Sequence, residues 1–128
     1  MRETRFDHIA IAMDRLADAP AVLVGVLGGR ADRGGPGRAF RWGTWRYEGG
    51  GRLEVIEPDA AAGPDGFLQR FLERHGPGIH HVTFKVPDLR AACDRAVHVQ
   101  VSGRAIDFHR RSGFGCCLKQ RVKVQIEA

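Results

Sequence analysis

Cysteine is scarce in this chain. There are three, Cys93, Cys116 and Cys117, an odd number with two of them adjacent. Adjacent residues of a strand project to opposite faces. The spacing therefore fits neither a disulfide framework nor a CxxC zinc pattern, and the three read as small buried apolar residues. Long apolar runs are also missing: nothing approaches the roughly 18 residues needed to span a bilayer. The opening MRETRFDH has no apolar core of a secretory leader, so the expected location is cytoplasmic, with no membrane partner. Acidic residues are outnumbered, 15 against 20 lysines and arginines, which leaves a net charge of +5. The basic residues are scattered, densest in FHRRSGFG and LKQRVKV. No helix-turn-helix, zinc-finger or RNP signature accompanies them, so nucleic acid is not the expected partner. Attraction of an anionic small substrate accounts for the charge as well.

What is present is enough for one domain. The chain has 128 residues, 43% hydrophobic and 27% charged, a globular composition able to bury a core without staples. FDHIAIAM (6–13) alternates, with Phe6, His8, Ala10 and Ala12 on one face and Ile9, Ile11 and Met13 on the other. This predicts a strand with one bulky apolar face and one small-residue face bearing a histidine. A helix follows, with Asp14 as N-cap and Gly28-Gly29 as stop, weakened or split at Pro20. Residues 30–40 read as a loop with room for a short strand. FRWGTWRYEGG and GRLEVIEP form a hairpin turning at the glycines 49–51. FLQRFLERHG (67–76) has helical spacing closed by Gly76. IHHVTFKVPDLRAACDRA (79–96) then repeats the layout of the opening strand and helix, and VSGRAIDF, GFGCCLK and RVKVQIEA supply three more strands. The chain thus reads β-α-β-β-β twice: module one over about 5–60, a linking helix over about 65–76, and module two over about 78–128.

The repeat separates the histidine doublet. Aligning the halves sets His81 against His8. Val82, Phe84 and Val86 form the apolar face, His81, Thr83 and Lys85 the other, and His80 becomes a strand-entry residue on the helix-packed side. The closing strands follow suit. Glu54 lies on the face opposite Leu53 and Val55; Lys123, Gln125 and Glu127 lie opposite Val122, Val124 and Ile126. With the apolar sets facing the helices, each half aims one imidazole and one oxygen donor at an open face. The separations match: 46 residues from His8 to Glu54, and 44 or 46 from His81 to Gln125 or Glu127. Such nitrogen and oxygen donors suit Fe(II), Co(II), Ni(II), Mn(II) or Zn(II).

FDHIAIAM, GRLEVIEP and GIHHVTFKVPDL resemble the vicinal oxygen chelate superfamily of glyoxalase, bleomycin-resistance and extradiol dioxygenase proteins. Within it they look closest to methylmalonyl-CoA epimerase-like proteins. The resemblance is good over residues 6–95 and poor over about 96–121, where HRRSGFGCCLKQR is longer than the family's short turn. It implies an α+β fold of two βαβββ modules forming an open curved-sheet barrel around a divalent metal, in a single domain over 1–128. Carried over by position, the ligands are His8, Glu54 and His81. The fourth ligand is a glutamate in the family's V-E-L-E ending; here VQIEA puts Gln125 there. Glutamine can ligate through its carbonyl oxygen but cannot act as a base, and Glu127 on the same face is the stand-in. The resemblance implies an epimerase or lyase working through a metal-stabilised enolate, with Glu54 and Glu127 as the foremost acid–base candidates and Glu48 behind them. It implies a small-molecule substrate, anionic or an acyl-CoA that the arginines of 30–46 could meet, and a homodimer. Two rivals stand beside it: a non-catalytic, antibiotic-sequestering binding protein of the same fold, and a ring-cleaving dioxygenase using His8, His81 and one glutamate.

Overall fold

The computed structural model describes residues 3–92, 100–101, 104–105 and 123–127. The chain divides into two compact units, His8–His80 and Met1–Asp7 with His81–Ala128. The fold is α+β with open sheet.

In the unit of residues 8–80 the strand order is β2-β3-β4-β1. These strands are β1 (Arg5–Ala12), β2 (Arg30–Pro36), β3 (Phe40–Arg46) and β4 (Arg52–Pro58). β2/β3 and β3/β4 are antiparallel, and β1 lies parallel to β4 with Ala10 level with Glu54. The parallel pair needs a crossover, and residues 13–51 provide it. The hairpin between β3 and β4 turns where expected. Gly50 and Gly51 both have φ +90°, and the Gly50 N–H donates to the Tyr47 carbonyl at 3.1 Å. That left-handed backbone favours glycine.

Each face of this sheet has its own helix. On one face a 3-10 turn (Leu16–Asp18) and α1 (Ala19–Leu23) pack Ala19 and Leu23 on Trp45 and Val55, with Ile11, Met13 and Leu53 alongside. This is the bulky apolar face predicted for β1. On the other, α2 (Phe67–His75) lays Leu68 and Leu72 on Ala12 and Ile56. Their i,i+4 spacing puts both leucines on one stripe. Gly76 (φ +68°) stops α2 by donating its N–H to the Leu72 carbonyl.

Three local expectations are resolved by the structure, the first as a correction. Asp14 does not cap the first helix: Arg15 holds the N-cap position of the 3-10 turn, and Asp18 that of α1 without a side-chain cap. Pro20 sits in the first turn of α1, where its missing N–H costs nothing, so the segment splits into two short pieces. The short strand allowed within residues 30–40 is β2, which takes up Arg30–Pro36 with a register shift between Ala31 and Gly34. A bulge leaves ladder groups unmet, and the Thr44 hydroxyl supplies them, accepting from Arg33 N–H at 3.2 Å and donating to Arg33 C=O at 3.3 Å. On the face of His8 and Glu54, His8 is 5% and Thr44 3% exposed, and further along it Ala12 and Ile56 lie beneath α2.

In the other unit β5 (Gly78–Lys85) pairs in parallel with β8 (Lys123–Glu127), and the first residues of β1 lie beside β5. Phe6 meets Phe84 edge-on at 6.0 Å, and Lys85 Nζ stands 3.6 Å from Asp7. Asp88 caps the helical backbone at 89–92, its carboxylate accepting the Ala91 N–H at 2.9 Å. VSGRAIDF was expected as one strand. Instead β6 (Gln100–Val101) ends at its first residue and β7 (Arg104–Ala105) lies within it, the two paired antiparallel. The cysteines and the strand expected in GFGCCLK lie outside the described residues.

Candidate metal centre

His8 leads the small-residue face of β1. Ala10 and Ala12 behind it carry no side chain beyond Cβ, so the strand can lie under α2 while the imidazole occupies the end of the face. Glu54 lies one strand over, level with Ala10 on β1 and with Thr44 on β3. The outcome is a buried pair: His8 Nε2 and Glu54 Oε2 are 3.5 Å apart, their side chains 6% and 16% exposed. An ion-ligand distance of about 2.1 Å places two adjacent donors on one ion about 3 Å apart or slightly more. The pair therefore fits a shared divalent cation.

His81 and Gln125 belong to the other unit. His81 is half-buried on β5. The β5/β8 register sets His81 beside Lys123, Thr83 beside Gln125 and Lys85 beside Glu127. The two sequence sets predicted to share a face are thus neighbours in the ladder. Thr83, at the level of Gln125, is fully buried. His80 is 5% exposed and packs its ring on Phe67 and Phe71 of α2, at 5.8 and 4.8 Å. That is the structural role expected for the first histidine of the doublet.

Glu48, the third acid–base candidate, is instead in an exposed ion pair with Arg30 at 2.9 Å. A groove of about 480 Å³ lies along the 3-10 turn and α1, lined by Leu16, Pro20, Gly43 and Trp45 and edged by Arg41 and Glu57. Its carboxylate is engaged: Glu57 accepts the Leu16 N–H at 2.7 Å and faces Arg41 at 3.9 Å. The groove and the buried nitrogen–oxygen pair share no lining residue.

One group of residues was not legible beforehand. Arg46 donates to Asp32 at 2.7 Å and lies opposite Arg52 across the β3/β4 ladder. The Asp32 carboxyl is held below the usual carboxylate range chiefly by that hydrogen bond; desolvation opposes it, and the charges of Arg46, Arg33 and Arg52 add to the lowering. The only hint in the sequence was Gly34-Gly35, which permits the bulge that brings Asp32 and Arg33 there.

The family described as Glyoxalase/Bleomycin resistance protein/Dioxygenase superfamily matches residues 7–113. No curated protein matches the sequence. Among solved structures, methylmalonyl-CoA epimerase from Mycobacterium tuberculosis is similar at 19% identity and TM-score 0.68, over 96% of this chain and 87% of that one. A methylmalonyl-CoA epimerase in complex with methylmalonyl-CoA and NH4+ is similar at 23% and 0.67, over 98% and 95%. A mutant of 4-hydroxymandelate synthase from Streptomyces coelicolor reaches 0.74 at 20% identity, over 98% of this chain but 38% of that one. At these identities the likeness concerns the fold alone. Among the described residues, no helix is long and apolar enough to cross a membrane.

Proposed function

Because the chain belongs to the glyoxalase/bleomycin resistance protein/dioxygenase superfamily, we propose that it is a metal-dependent enzyme acting on a small molecule with two neighbouring oxygen functions. The observation that carries this reading is the buried His8–Glu54 pair at 3.5 Å on adjacent parallel strands. The proposed ligand set is His8, Glu54, His81 and Gln125. Equivalence of His81 to His8 in the internal repeat supports the third ligand, and the level of VQIEA in the repeat supports the fourth. The set offers two imidazole nitrogens, a carboxylate and an amide oxygen, which suits Co, Ni, Mn, Fe or Zn. The ion, when bound, supplies Lewis-acid stabilisation of negative charge developing on a substrate oxygen.

The protein's own part is positioning and proton handling. His8 and Glu54 hold their donors in a site almost closed to water, where electrostatic interactions strengthen. The reaction class we favour is epimerisation or lyase chemistry at a carbon made acidic by a neighbouring carbonyl, as in a branched acyl-CoA. It needs a base within hydrogen-bond reach of that proton. Glu54 and Glu127 are the proposed acid–base pair, since Gln125 cannot take a proton. A homodimer is part of the proposal, and so is a cytoplasmic location.

Metal analysis of untagged protein, together with solvent-deuterium exchange into a 2-methyl-branched acyl-CoA, tests this. We expect about one divalent ion per chain, and exchange that is lost in E54A. Metal-free protein that binds a ligand tightly points to the sequestering reading. Bound iron with ring cleavage of a catechol and no exchange points to the dioxygenase.

A further inference from the structure

The groove beside the 3-10 turn and α1 has no part in the metal reading, and it lies within the unit of residues 8–80. Its origin is a set of missing side chains. Gly34 of β2 and Gly43 of β3 are direct partners in the ladder, and Gly35 follows. A Cβ at Gly34 would stand 2.8 Å from the Trp42 carbonyl oxygen, and one at Gly43 would stand 3.0 Å from the Trp45 ring. Glycine in a strand lets another group approach the backbone closely. Here the Trp45 ring takes the space over Gly43, and the backbone of Gly34 and Gly35 forms the floor next to it. Leu16, Ala17 and Pro20 supply the helix side. The lining is thus peptide backbone, aromatic ring and aliphatic carbon, and its volume of about 480 Å³ falls in the range of small-molecule sites. The rim is charged, with Arg15 and Arg41 against one carboxylate, Glu57. One Glu57 oxygen is engaged by the Leu16 N–H, and the other stands 3.9 Å from Arg41 Nε, beyond hydrogen-bond length. Arg15 is equally far, 3.9 Å, from Asp18, which does not line the groove. The two arginine side chains are 71% and 63% exposed, so both can reach a solute.

We propose that this groove is a second binding site, separate from the metal centre, and that its ligand is an aromatic carboxylate. The ring lies on the glycine backbone against Trp45, and the carboxylate meets Arg15 and Arg41. A floor without side chains lets a flat ring settle on it over its whole face. Guanidinium forks suit the other end because two parallel N–H donors match two carboxylate oxygens. The proposal stands on the groove alone and needs no ion at His8 and Glu54.

The chain has two tryptophans, and both line the groove. Their assigned indole N–H signals in proton–nitrogen correlation spectra therefore report its occupancy. The probes are 2-naphthoate, its neutral amide 2-naphthamide, and octanoate, which keeps the charge without the ring. Titrations use the full chain with a chelator present, so that no metal meets the carboxylate. Naphthoate should shift the Trp45 indole signal and bind about tenfold more tightly than the amide, the scale of one charge-assisted hydrogen bond. It should bind at least about threefold more tightly than octanoate, the scale of an aromatic contact. The preference over the amide should fall below about threefold in R15Q/R41Q. It should persist in R74Q, which removes an exposed charge from α2, on the other face of the sheet. A17F, which sets a ring in the groove from an exposed position, should abolish the Trp45 shift. The proposal is overturned if millimolar naphthoate leaves the Trp45 signal in place, or if the amide or octanoate binds as tightly as naphthoate. A preference that survives R15Q/R41Q, or a shift that survives A17F, overturns it as well. If A17F does not fold, the wild-type comparison and R15Q/R41Q decide by the same criteria.

Discussion

Replacing Leu68 by alanine tests the packing on which the candidate site depends. Leu68 is 1% exposed and lies against Ala12, Ile56 and Leu72. The substitution removes three buried carbons, about 2.4 kcal/mol at roughly 0.8 per methylene. Ala12 has little side chain to move into the space and Ile56 is held in the sheet, so a cavity remains. That brings the expected cost to about 3 kcal/mol, inside the usual range for such changes. For a chain of this length, this lowers the melting temperature by about 10–15 °C. The assay is urea and thermal unfolding followed by far-UV circular dichroism. V26A, at a side chain 74% exposed, serves as control and should change stability by less than about 0.5 kcal/mol. The functional arm follows from topology. Leu68 covers Ala12 and Ile56, and these continue the strands bearing His8 and Glu54. L68A should therefore also weaken Co(II) binding, without touching a proposed ligand. A cost below about 1 kcal/mol would refute the docking of α2 on this face.

Four further outcomes follow. H8A and E54A should each abolish the stabilisation by Co(II) that wild type shows, about 2.7 kcal/mol at a hundredfold excess over Kd; scanning calorimetry with and without the ion reads it. T44V should cost about 1–3 kcal/mol in urea unfolding, because it leaves the Arg33 backbone groups without the hydroxyl they share. G76A should destabilise by about 1 kcal/mol in the same assay, since its φ of +68° suits glycine. Asp32 has its folded pKa depressed by Arg46. Its contribution is thus present above the unfolded carboxylate value of about 3.9 and lost as pH falls through the lower folded value. D32N should flatten the acid limb of the stability curve below about pH 4, and an unchanged limb would remove this carboxylate from the account.

The sequence by itself determined the periodicities. Alternation separated His8, Ala10 and Ala12 from Ile9, Ile11 and Met13, and the structure puts those sets on opposite faces of one sheet. Helical spacing identified α2, and consecutive glycines placed the β3/β4 turn. The internal repeat assigned His80 a packing role, because adjacent strand residues must point apart. All of these are local rules, acting within a few residues of chain.

Tertiary structure decided what depends on neighbours distant in sequence. Asp14 looked like a cap, yet the first helix starts further on because Pro20 suits its first turn and Glu57, 41 residues away from Leu16, accepts the 3-10 turn's leading N–H. Residues 30–36 look like loop when read alone, since glycine, proline and arginine are poor strand formers. They are a strand because β3 offers them a ladder and Thr44 repairs the bulge. No sequence rule pairs Arg46 with Arg52 or brings Asp32 to them; register does. The same holds for His8 and Glu54. Their residue types suggested a metal, but parallel pairing of β1 with β4 is what sets imidazole against carboxylate, a contact spanning 46 positions of chain.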